Sequence, residues 1–144
     1  MYPKLLVFLQ FFLIALMIIF SDNFSIFYHP TALSVLIMGV SIGLWALNHN
    51  KLGNFNVQPK HKEGSYLVTT GIYGLIRHPM YTSVIVMMFS FVMATPTWIE
   101  GILFILLVCT LILKAQKEEV GLSAVHPEYQ AYRKKTKYFI PYIL

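Results

Sequence analysis

Charge is the scarcest commodity in this chain. Asp, Glu, Lys and Arg make up 12% of its 144 residues, about half the share of an ordinary soluble domain. Apolar residues account for 57%, and a soluble core of this size needs a polar shell that the sequence does not contain. Cysteine is almost missing too. The single Cys109 excludes a disulfide within the chain, and the lack of any Cys/His cluster argues against a metal site. Cys109 itself lies inside an apolar run, as a lipid- or helix-facing filler. There is no internal repeat, low-complexity tract or heptad pattern, and by length the chain is one domain, 1–144.

What is present is apolar sequence in long runs. Four stand out, near 5–20, 31–47, 80–94 and 98–113, each roughly 15 to 17 residues. That is short for a single membrane span of about 20 residues. Flanking Tyr, Trp, Pro and Lys supply the missing turn at each interface. The first run has only Lys4 before it and no small-residue cleavage site after it, so it reads as a mature span rather than a signal peptide. The expected fold is therefore all-α: a multi-pass transmembrane bundle of about four spans. Thr95-Pro96-Thr97 makes a tight hairpin between the third and fourth.

The net charge of +5 points to topology rather than to nucleic acid, because the basic residues sit in the gaps between apolar runs. With the N-terminus in the cytosol, Lys4, the loop 48–79 and the tail 114–144 all lie inside. Together they carry all 11 Lys and Arg, and the outer side holds only Asp22 and Glu100. Both termini are then cytosolic, in the cell (inner) membrane of a prokaryote or the endoplasmic reticulum of a eukaryote. In the tail, the stretch from Pro127 to about Thr136 reads as a short interfacial helix with Tyr129 and Tyr132 on one face.

Two clusters carry chemical potential. The inside loop ends Arg77-His78-Pro79-Met80-Tyr81, mixing cationic, imidazole and aromatic groups at the mouth of a span. Read purely structurally, Pro79 occupies the first turn of the third span, where its missing N–H costs nothing, and Arg77 and His78 contact headgroups. The second cluster is Lys114, Lys117, Glu118 and Glu119. Lys114 and Glu118 are four apart and share a face of a continuing helix, as an ion pair would. Two adjacent carboxylates at membrane depth are nonetheless costly without a partner, which marks them as functional candidates.

In order along the chain come Gly71-x-Tyr73-x3-Arg77-His78-Pro79-x-Tyr81, Glu118-Glu119-x2-Leu122, Tyr129-x2-Tyr132 and a closing Ile140-Pro141. With a helical hairpin between them, these motifs resemble the isoprenylcysteine carboxyl methyltransferase family, multi-pass membrane enzymes that use S-adenosylmethionine. The resemblance runs from about Asn54 to Pro141. It implies that the cofactor is held by Gln58, by the stretch Ser65, Tyr66, Leu67 and Val68 before a Thr-x-Gly, by Tyr73, by the block His78, Pro79, Met80 and Tyr81, and by Glu118. It also implies that Lys114 faces the substrate from a position where the family carries arginine. Ser65 departs from a common histidine and His126 from a common phenylalanine, and the N-terminal part is short. Lysine at 114 replaces a bidentate fork with a point charge, which leaves the acceptor open.

These identities make physical sense. Gln58, Leu67 and Val68 offer an amide and apolar walls to an adenine. The Glu118 carboxylate suits a ribose or an amino group, and the Tyr73 and Tyr81 faces suit a sulfonium. His78, or backbone N–H groups near the third span, suits the cofactor's carboxylate. The implied reaction is in-line methyl transfer to a lipophilic or lipid-modified acceptor arriving from the bilayer, among membrane lipids and without nucleic acid. A carboxylate acceptor needs no general base, whereas an amine must lose a proton with help from His78 or Glu119. Three alternatives remain at this level: a phospholipid amine methyltransferase, a nicotinamide-dependent sterol-type reductase with a similar Arg-His-Pro-x-Tyr block, and a non-enzymatic adaptor. The adaptor requires that Tyr73, His78 and Glu118 do not converge.

Overall fold

The computed structural model describes residues 3–22, 24–50 and 67–141, all of whose regular structure is helical. Helix α1 runs Pro3–Phe20, α2 Ser25–Tyr28, α3 Pro30–His49, α4 Pro79–Ala94, α5 Trp98–Val125 and α6 Tyr129–Lys135, with a 3-10 turn at Gly71–Gly74 before α4. Proline opens α3 and α4, at a position where its missing donor is no loss. Thr97 caps α5, its hydroxyl accepting from the Glu100 N–H at 3.2 Å.

Two of these helices, Pro30–His49 and Trp98–Val125, are long and apolar enough to cross a membrane, and α1 and α4 are shorter apolar helices. The four runs all become helices with nearly the expected limits. The fourth does not stop at 113, however. Lys114 to Val125 continue α5, so the expected tail begins with three more helical turns. The 28-residue α5 is about 42 Å long at 1.5 Å per residue, more than a hydrocarbon layer of about 30 Å. Its Lys114–Glu119 end therefore reaches past any span made by its first half. Glu100, expected on an outer loop, instead lies in the first turn of α5 and is wholly buried.

The helices associate as two pairs. Helix α1 lies along α5, with Leu13 and Met17 packed against Leu103, Leu107 and Leu111, and Met88 of α4 joins this core. Helix α3 lies along α4 over small residues. A Cβ at Gly39 would come within 2.8 Å of the Met87 backbone nitrogen, and one at Gly43 within 2.6 Å of Ser83 Oγ. The Ser83 hydroxyl donates to the Gly39 carbonyl at 2.8 Å, so the close approach is also hydrogen-bonded. Many outward residues, including Phe8, Phe11, Ile37, Leu44, Ile102 and Ile105, are large, apolar and exposed, a surface suited to lipid rather than water.

Candidate functional site

The ends of α3, α4 and α5 meet the 3-10 turn and the tail at one end of the bundle. Gly71 starts the turn with φ of +60°, and a Cβ there would also strike the His49 ring at the end of α3. Only glycine meets both demands. The turn then buries Ile72, Tyr73 and Ile76 against Ala46, with Ile42, Val68 and Met80 packed around them. The Asn50 amide donates to the Tyr73 hydroxyl at 3.4 Å.

The tail is stitched onto this turn. Arg77 N–H donates to the Lys137 carbonyl at 2.8 Å, Lys137 N–H to the Leu75 carbonyl at 3.1 Å, and His78 N–H to the Tyr138 carbonyl at 3.2 Å. The Thr82 hydroxyl donates to the Phe139 carbonyl at 2.9 Å. Tyr132 of α6 donates its hydroxyl to the Tyr73 carbonyl at 2.7 Å. Tyr129 and Tyr132 do share a face of the tail helix, but that face is buried inward.

On this scaffold the side chains of α4 and α5 interlock. Arg77 Nε stands 2.5 Å from Glu119 Oε1, both side chains under 10% exposed, and Arg133 Nε lies 3.5 Å from Glu119 Oε2. The Arg77 guanidinium also donates to the carbonyls of Arg133 and Thr136, at 3.2 and 2.5 Å. Arg77 and His78 are thus tied into the interior of the fold, which the purely structural reading did not expect. Desolvating two charges is repaid here by good geometry and additional hydrogen bonds.

Glu118 turns the other way. It accepts a hydrogen bond from the Tyr81 hydroxyl, its Oε2 is 3.9 Å from His78 Nδ1, and the His78 and Tyr81 rings are stacked at 5.6 Å. The opposite imidazole nitrogen is 3.3 Å from Glu119, so His78 stands between the two carboxylates. The Lys114 ammonium lies 4.9 Å over the Tyr81 ring and donates to Gln10 Oε1 of α1 at 3.0 Å. It does not close the expected ion pair with Glu118, although both lie on one helical face. Burial raises the pKa of the Tyr73 phenol; the Asn50 bond offsets part of this and the Glu118 charge adds to it, which ties the 3-10 turn electrostatically to the same carboxylate.

Of the residues expected to hold the cofactor, Tyr73, Val68 and Met80 come together in one apolar cluster. His78, Tyr81, Glu118 and the expected substrate residue Lys114 come together in the adjoining polar one. Pro79 is fully buried beneath them and Leu67 is half-buried beside Val68. Gln58, Ser65 and Tyr66 lie outside the described residues. The His78 ring is 6% exposed with its two nitrogens facing the two carboxylates. Glu118 is in contact with His78 and is coupled electrostatically to Tyr73.

Two partners were not found by sequence reasoning. Gln10 appeared as part of an apolar run, and its only signal was an amide within an otherwise apolar helix interior. The Arg77–Glu119 pair joins residues 42 positions apart and has no local signature.

A partly exposed carboxylate that accepts a hydrogen bond from Tyr81 fits a ligand that carries further hydrogen-bond donors. No curated protein matches the chain significantly. The family model for phospholipid methyltransferases matches residues 28–128, which include α3, α4, the 3-10 turn and all of α5. The chain therefore belongs to the phospholipid methyltransferase family, membrane enzymes that take their methyl group from S-adenosylmethionine.

Proposed function

We propose that this protein is a four-span membrane enzyme that methylates a lipophilic acceptor drawn from the bilayer, in the manner of isoprenylcysteine carboxyl O-methylation. The supporting observation is the Lys114 ammonium, held by Gln10 and Tyr81 beside Glu118. It offers a fixed cation to an acceptor carboxylate, which is already nucleophilic and needs no base.

S-adenosylmethionine supplies an electrophilic methyl group on its sulfonium. Val68, Leu67, Tyr73 and Met80 form the apolar wall against which it would lie, with Gln58, Ser65 and Tyr66 of the preceding loop as further contacts. Glu118 accepts hydrogen bonds from its polar groups, and Tyr81 fixes the Glu118 rotamer. Lys114 orients the acceptor, and the apolar faces of α1, α4 and α5 exclude water around it. The basic loop and tail would then lie on the cytosolic side, with both termini.

The phospholipid amine reading is favoured by one observation, the family match itself. Here Lys114 would hold the headgroup phosphate, and a base would have to remove the amine proton.

The products separate the two. The detergent-purified protein is incubated with labelled S-adenosylmethionine and either a farnesylated cysteine peptide or phosphatidylethanolamine. A methyl ester releases its label in mild base, whereas a methylamine keeps it. Base-labile product from the prenylated peptide supports the carboxylate reading, and base-stable product from the phospholipid overturns it in favour of the amine. Glu118→Ala abolishes S-adenosylmethionine binding if the site is assigned correctly. Binding of NADPH in place of S-adenosylmethionine would favour the reductase.

A further inference from the structure

A cleft of about 460 Å³ is lined by Arg77, Ile112, Arg133, Thr136, Lys137, Tyr138 and Phe139. None of Tyr73, Tyr81, Lys114 or Glu118 lines it, so it is distinct from the cofactor site. We infer that it binds the phosphate of an anionic phospholipid at the membrane surface.

Three features carry this. The first is charge: three cations line the cleft, against the single carboxylate of Glu119, which is already shared between Arg77 and Arg133. The second is unused donors. Arg77 spends its Nε and Nη1 on Glu119 and two carbonyls, and among the described residues its Nη2 has no partner. The Tyr138 ring lies 5.0 Å from the Arg77 guanidinium, and its hydroxyl, buried at the cleft, likewise has no hydrogen-bond partner among the described residues. A phosphate diester offers oxygens to such a set of N–H and O–H groups. The third feature is amphipathy. Ile112 belongs to the apolar half of α5 and Phe139 is buried, so the cleft joins an apolar floor to a cationic rim. A free phosphate uses only the rim, whereas a phospholipid uses both.

The test compares two double variants of equal charge in the full-length, detergent-purified protein. Arg133→Gln/Lys137→Gln alters the cleft, and Lys134→Gln/Lys135→Gln removes two exposed cations that do not line it. Native mass spectrometry then counts retained phosphatidylglycerol against phosphatidylcholine, with Lys137→Gln alone as a variant whose exposed side chain leaves the fold undisturbed. The expected result is preferential retention of phosphatidylglycerol, weakened about tenfold or more in the cleft variant and less than about twofold in the other. Lys137→Gln falls between. Equal weakening in both double variants, as a diffuse basic surface would give, overturns the inference. So does displacement of the lipid by inorganic phosphate as effectively as by added phosphatidylglycerol, which would assign the cleft to a soluble phosphate.

Discussion

Glu118 and Glu119 are neighbours in the chain and serve opposite sides of His78. Glu119 closes on Arg77 at 2.5 Å and on the tail through Arg133, while Glu118 binds Tyr81 and faces the Lys114 side. The imidazole between them touches both, at 3.9 Å on the Glu118 side and 3.3 Å on the Glu119 side. One helical step of about 100° thus separates a carboxylate paired with Tyr81 from one locked into the Arg77 brace.

The division of labour predicts different failures. Glu119→Ala leaves the Arg77 guanidinium buried without its counter-charge and lowers stability by about 3 kcal/mol, at the low end for a broken buried pair because two carbonyl bonds to Arg77 survive. Glu118→Gln keeps a hydrogen-bonding group against Tyr81 and leaves the unfolding transition nearly unchanged, but weakens S-adenosylmethionine binding at least tenfold. Denaturant unfolding and a cofactor titration on both variants check this. A Glu118→Gln protein that binds normally and unfolds early would reverse the assignment.

Much of the helical framework was legible because unbroken apolar runs bounded by proline and polar turns leave few other choices. The end of α5 was not. Loss of apolar character marks the end of a membrane run, but Lys114-Ala115-Gln116-Lys117-Glu118-Glu119 are all good helix formers and carry the helix on. The candidate residues of the 71–81 block were legible as a motif. Their partners were not, since Gln10, Glu119 and the 136–139 backbone are brought to them only by the packing of α1 on α5 and of the tail on the 3-10 turn.

The α3–α4 contact predicts a sharp contrast among glycines. Gly39→Ala drives a Cβ against the Met87 backbone, which cannot rotate away, and costs about 1–3 kcal/mol. Gly43→Ala meets only the Ser83 hydroxyl and costs less. Gly101→Ala, in α5 with nothing within 4 Å of the added carbon, stabilises by about 0.5–1 kcal/mol. Thermal unfolding in one detergent ranks the three, and a neutral Gly39→Ala would show that the helices separate easily.

Buried phenols predict an alkaline limit. Burial first, with the Glu119 charge adding to it, pushes the Tyr138 phenol up to about 12, and burial raises Tyr129 and Tyr132 as well. The ordinary value is about 10. A pKa raised by folding means stability that is complete below about pH 10 and lost as the pH climbs through the folded-state value. Urea midpoints should therefore show no tyrosine-dependent change near neutrality and fall above about pH 10. Tyr138→Phe removes a hydroxyl with no partner among the described residues, so its midpoint at neutral pH stays close to wild type and its alkaline decline is shallower. A parallel decline in both proteins would assign the loss to other groups.

Gln10 tests whether α1 contributes to the reaction or merely packs. Gln10 is 7% exposed, and among the described residues its side chain's hydrogen bond is the one it accepts from Lys114. Gln10→Leu fills similar space in an apolar helix, so the fold survives, but the ammonium loses the acceptor that fixes it over Tyr81. The acceptor KM should rise about tenfold, the loss of one charge-assisted bond, while S-adenosylmethionine affinity and the unfolding transition stay near wild type. Lys114→Arg, which replaces a point charge with a planar fork that fits carboxylate and phosphate alike, should lower the KM for whichever of the two acceptors is methylated. Steady-state kinetics with each acceptor at saturating cofactor checks both. A Gln10→Leu enzyme whose kcat alone falls, with KM unchanged, would place Lys114 in the chemical step rather than in acceptor binding.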